Sequence, residues 1–68
     1  MTAAQLYEVM DILRWSPNIL SDATDIRLTT IRRWRSGEQP VPEPIAAWLR
    51  GLAAFHRENP PPAPPRLP

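Results

Sequence analysis

Proline punctuates this chain more strongly than any other residue. Its ten prolines stand at position 17, at positions 40, 42 and 44, and six times from position 60 onward. Proline lacks an amide proton, and its ring disfavours the α region for the residue before it. It is therefore kept out of helix interiors and central strands and is at home in loops and in the first turn of a helix. A chain cut in this way can form only short elements, and the apolar spacing says which kind.

Leu6, Val9, Met10 and Leu13 recur at helical spacing and predict a helix from Ala3 to about Arg14. Thr2-Ala3-Ala4-Gln5 fits a capping box at its start, and Ser16-Pro17 is its expected stop. The same pair reads as the start of a second helix, with Ser16 as N-cap and Pro17 at the first helical position. That helix is short and ends near Thr24, with Leu20, Ala23 and Thr24 expected to face inward. Asp25 falls where the chain must turn, and Asp tolerates a left-handed conformation better than most residues. A third helix runs from Arg27 or Leu28 to Ser36. Ile31 and Trp34 point one way, Thr29, Arg32, Arg33 and Ser36 point elsewhere, and Gly37 supplies the stop.

Glu38-Gln39-Pro40-Val41-Pro42 reads as a rigid extended loop. A fourth helix then starts at Glu43 or Pro44 and runs to about Arg57. Ile45, Trp48, Leu49, Leu52 and Phe55 give it a broad apolar stripe, widened by alanines. Trp15, Trp34 and Trp48 read as core or core-edge residues. The expected fold is a compact all-α domain of four helices over residues 1–58, with room for a fifth short helical turn. Residues 59–68 form a proline-rich tail expected to be disordered or polyproline-like. The tail stretch Pro61-Pro62-Ala63-Pro64-Pro65-Arg66 matches a PxxP peptide, a match that its composition alone explains.

The net charge of +1 hides an uneven distribution. Residues 1–25 carry −3, residues 26–37 carry +4 and residues 38–68 are neutral. Arg27, Arg32, Arg33 and Arg35 therefore place the positive charge in one short window without an acid. All eight basic residues are arginine, whose planar fork suits bidentate contact with phosphate or guanine.

Several function classes drop out. The absence of cysteine excludes disulfides and thiolate metal sites, and the single His56 cannot make a metal site alone. No cofactor, metal or small-molecule ligand is expected. Glu8/Asp11 and Asp22/Asp25 read as solvated acids, because no nucleophile, base and orienting group accompany them; no enzyme is expected. No stretch approaches the roughly 20 apolar residues that a membrane span needs. Met1-Thr2-Ala3-Ala4 does not open a secretory signal. The expectation is a cytoplasmic chain.

Two short helices joined by a tight turn, the second apolar inside and basic outside, describe a helix-turn-helix. The segment from Ser16 to Gly37 resembles that motif in the phage repressor and Cro class of small bacterial and phage regulators. Leu20, Ile26, Thr30, Ile31, Trp34 and Gly37 match its pattern, and Pro40 and Pro42 match the loop that follows. The resemblance covers about residues 5–57. Ser21, Asp25, Arg27 and Pro17 depart from it, standing where a small Ala, a turn Gly, a Ser or Thr cap and a phosphate-touching Gln are usual.

What the resemblance implies is a transcriptional regulator, a repressor binding double-stranded DNA as a homodimer on an inverted repeat. It places Leu28, Thr29, Arg32 and Arg33 at base edges. It places Arg27, Thr30, Arg35 and Ser36 at the DNA backbone, with Asn18 substituting for the missing Gln. Trp48, Leu52 and Phe55, with Gly51 allowing close approach, form the expected dimer interface. The alternative is a protein-interaction, antitoxin-like or accessory module that keeps the scaffold.

Overall fold

The computed structural model describes residues 1–62 and is all-helical among them. Its elements are α1 (Ala3–Leu13), α2 (Pro17–Thr24), α3 (Leu28–Ser36) and α4 (Glu43–Glu58). No fifth helical turn occurs among the described residues. Pro60 to Pro62 carry no regular secondary structure, and the expected tail beyond them lies outside the described residues. No helix is long and apolar enough to cross a membrane.

α1 starts as its sequence requires. The Thr2 hydroxyl accepts from the Gln5 amide at 3.1 Å, and the Gln5 side chain accepts from the Thr2 amide at 2.8 Å. Such a cap contributes about 1 kcal/mol. Its end falls within one residue of the expected Arg14, but by a different cause. The helix stops at Leu13, and Arg14 turns into the left-handed region at φ 57°. The Trp15 amide then donates to the Met10 carbonyl at 2.9 Å, and the Arg14 amide donates to Asp11 at 3.1 Å. This paired closure is a Schellman motif, completed before Ser16-Pro17 is reached. It frees Ser16 to cap α2 by accepting from the Ile19 amide at 3.3 Å.

α1 is the organising helix. It packs against α3 on one side and α4 on another, while α2 packs against α3. Leu6, Leu20, Ile31 and Leu49 are fully buried at the centre, joined by Val9, Met10, Trp34, Val41, Ala46 and Ala53. Burying each of the four large side chains is worth roughly 1.5–3 kcal/mol. Val41 is a core residue that its position in a proline loop concealed.

Two expectations about burial are corrected. In α2 the inward line is Pro17, Leu20, Ser21 and Thr24, whereas Ala23 is exposed. That line follows the i, i+3, i+4, i+7 rule, which turns Ala23 away. In α4 only Ala46, Leu49 and Ala53 are buried. Trp48, read as core, is 41% exposed; Phe55, read as an interface residue, is 66% exposed. The reason is topological: among the helices α4 meets α1 alone, and a single neighbour covers a single stripe. Small alanines on that stripe let the two backbones approach, which leaves the bulky aromatics on the far side.

Candidate nucleic-acid interface

The surface of interest begins with the link between α2 and α3. Three residues, Asp25, Ile26 and Arg27, separate the two helices. Asp25 adopts φ 57° and ψ 28°. The Ser21 hydroxyl donates to the Ile26 carbonyl at 2.5 Å, and the Thr24 hydroxyl donates to the Leu20 carbonyl at 2.7 Å. Ser21 thus does more than replace a small residue, since its hydroxyl ties α2 to the connecting turn. Ile26 is half-buried and packs against the core. Local sequence and tertiary packing together fix the angle at which α3 leaves α2.

α3 is held from one side only. Ile31 and Trp34 are buried, at 0% and 3% exposure. Opposite them Thr29, Arg32, Arg33 and Ser36 are all exposed. These four stand at i, i+3, i+4 and i+7, the spacing that lines one helix face. The helix closes on Gly37, at φ 84°, whose amide donates to the Trp34 carbonyl. Glycine is favoured there because the left-handed region is strained for residues with a Cβ.

The remaining site residues take other places. Arg27 is exposed at the N-cap of α3 and makes no side-chain cap. Asn18 is exposed in the first turn of α2. Leu28 and Thr30 are half-buried on opposite flanks of the α3 stripe. Arg35 stands apart from the other arginines of α3. It is half-buried, its guanidinium carbon lies 4.4 Å from the centre of the Tyr7 ring, and its Nε is buried without a hydrogen-bond acceptor.

Charge is arranged consistently with this division. Among the described residues the ion pairs are Arg50 with Glu43 at 3.0 Å and Arg57 with Glu8 at 3.1 Å. No arginine of α3 or of its N-cap takes part in one. Arg32 and Arg33 therefore present uncompensated positive charge from a rigidly anchored helix. An open groove of about 1000 Å³ runs beside the Tyr7–Arg35 contact, with Trp15, Arg14, His56 and Pro61 among its walls.

The second expected surface lies on α4. Trp48, Gly51 and Phe55 are exposed and Leu52 is half-buried. Trp48 is steadied by Trp15, with ring centres 5.9 Å apart and planes tilted by 53°. Sequence reasoning missed the Tyr7–Arg35 contact, and nothing local could have revealed it, because the partners are 28 positions apart. Comparison with models of protein families, with curated protein sequences and with solved structures finds no match.

Proposed function

We propose that this chain is a sequence-specific double-stranded DNA-binding protein of the repressor and Cro helix-turn-helix type, acting as a homodimeric transcriptional repressor on an inverted repeat. The observation that carries the reading is the α3 stripe. Thr29, Arg32, Arg33 and Ser36 face solvent together, while Ile31 and Trp34 hold the opposite side. The major groove of B-DNA admits one α-helix, and arginine reads guanine there through two parallel hydrogen bonds. In this reading Arg32, Arg33, Thr29 and Leu28 meet base edges. Asn18, Arg27, Thr30 and Ser36 meet phosphates, which fixes register. Arg35, engaged with Tyr7, is assigned to positioning α3 instead of contacting the backbone. Occlusion of a promoter by the bound dimer is sufficient for repression.

The experiment is selection of binding sites from a random duplex pool, followed by gel-shift titration of the recovered site. The expected result is a recurrent inverted repeat with half-sites about one helical turn apart. Arg32→Ala with Arg33→Ala should abolish specific binding while circular dichroism stays helical. An unchanged affinity in that double variant rejects the assignment of the face. The exposure of Phe55 favours a second reading, a protein-interaction or accessory module on the same scaffold. It predicts that no sequence is enriched and that duplex binding is weak and sequence-blind.

A further inference from the structure

We infer that the groove beside the Tyr7–Arg35 contact binds a small aromatic carboxylate. This goes beyond the proposed function and does not depend on it. No sequence motif announces the site, because its walls come from all four helices. Three observations support it.

The first is space. α3 and α4 both pack on α1 but do not meet each other. Between them lies a trough walled by Tyr7 and Asp11 of α1, Arg35 of α3 and His56 of α4. Ser16 and Pro17 bring the start of α2 to the same trough. Its volume of about 1000 Å³ lies at the top of the roughly 300–1,000 Å³ that ligand sites occupy. That is far more room than a bare ion fills, so the fitting occupant has a body as well as a charge.

The second is an arginine without an acceptor. Among the described residues, the arginine side chains that donate hydrogen bonds are Arg50 and Arg57. Arg35 donates none, although its Nε is buried. A buried donor left unmatched is unfavourable, and native proteins keep few of them. Tyr7 covers a face of the guanidinium, 4.4 Å from ring centre to carbon. The N–H donors all lie in the guanidinium plane, so that ring leaves them for an acceptor at the edge. A carboxylate meets such an edge with two parallel hydrogen bonds.

The third is the chemistry of the walls. Arg14, the C-cap of α1, also lines the trough, and neither it nor Arg35 takes part in the ion pairs of the described residues. The titratable groups facing the trough are Arg14, Arg35, His56, Tyr7 and Asp11. Two guanidiniums outweigh one carboxylate, which selects an anion. Asp11 repels a second negative charge, so a single carboxylate matches the site better than a dianion. The body has apolar surface to lie on. Trp15 is half-buried and braced by Trp48, with ring centres 5.9 Å apart. Pro17, Pro60 and Pro61 add rings that lose no rotamer freedom when covered. Apolar walls with a few placed polar groups are the usual composition of a ligand site.

The test titrates cinnamate into the isotope-labelled full chain without DNA, followed by proton–nitrogen NMR. The Trp15 indole signal, identified by its loss in Trp15→Phe, should move saturably, with a Kd of about 1 mM or tighter. Cinnamamide keeps the body without the charge, and acetate keeps the charge without the body. Each should bind at least about tenfold more weakly. Arg35→Gln should weaken cinnamate binding by about tenfold or more. Arg14→Gln, at an exposed position, should do the same and serves if the first variant loses helix. Arg50→Gln, which removes a side chain paired with Glu43 outside the trough, should leave the affinity unchanged. Four results would each overturn the inference. One is no saturable shift up to about 10 mM cinnamate. Another is displaced signals confined to Arg32 and Arg33, which marks an anion on the exposed stripe of α3. The third is cinnamamide or acetate matching cinnamate. The last is a folded Arg14→Gln or Arg35→Gln chain with unchanged affinity.

Discussion

The guanidinium of Arg35 lies over the ring of Tyr7, 4.4 Å from its centre, and so links the last turn of α3 to the middle of α1. Arg32 and Arg33, three and two positions earlier and exposed, have no such partner. Four basic residues that look alike in the sequence therefore divide into outward charges and one inward strut. A cation over an aromatic face is worth about 0.5–1 kcal/mol at an exposed site. The contact's more important effect is geometric, since it limits rotation of α3 about its own axis.

This division is measurable through salt. Binding of a protein that neutralises phosphates weakens linearly with the logarithm of salt concentration, by nearly one unit of slope per contact. Replacing an exposed arginine that contacts phosphate, such as Arg27→Gln, should lower the slope by about 1. Arg35→Gln should weaken binding without changing the slope, and Tyr7→Leu should reproduce that behaviour. A reduced slope in Arg35→Gln would place its guanidinium on the DNA backbone.

The Ser21–Ile26 hydrogen bond makes a prediction about stability. Ser21→Ala leaves a half-buried carbonyl without its donor, which costs about 1–3 kcal/mol. Ser36→Ala removes a comparable bond to the Arg33 carbonyl at 3.1 Å, but in solvent, where water replaces it. Urea denaturation should show a clear loss for Ser21→Ala and a change within about 0.5 kcal/mol for Ser36→Ala.

The core leaves little reserve. A domain of this size rarely holds more than about 3–5 kcal/mol, and Ile31→Ala at a fully buried site costs roughly 2–5 kcal/mol. That variant should be largely unfolded at room temperature by circular dichroism. Ala54→Ser, on an exposed helix position, should leave the thermal midpoint close to that of the parent chain.

Arg14 offers the opposite prospect. Its φ of 57° costs a residue with a Cβ about 1 kcal/mol or more, and its side chain is exposed. Arg14→Gly should raise the thermal midpoint by relieving that strain, and Arg14→Val should lower it, because β-branching is least tolerated there. Equal midpoints in the two variants would show that the Schellman closure places no steric demand on this position.

The number of helices and most of their limits and caps could be read from the chain itself, because they depend on local forces; the left-handed closure of α1 at Arg14 is the exception. Thr2 with Gln5, Ser16 with Pro17, and Gly37 each act on amides or carbonyls within a few residues. The exposed stripe of α3 was legible for the same reason: Ile31 and Trp34 define its inner side by periodicity alone. Tertiary structure decided everything that depends on which neighbour a face meets. It buried Val41 and turned Ala23 outward. It left Trp48 and Phe55 partly exposed because, among the described helices, α4 meets α1 alone. It also drew Arg35 onto Tyr7. Periodicity specifies that a helix has an apolar side, but only packing specifies how much of that side is covered and which charged side chain finds an aromatic ring across the fold.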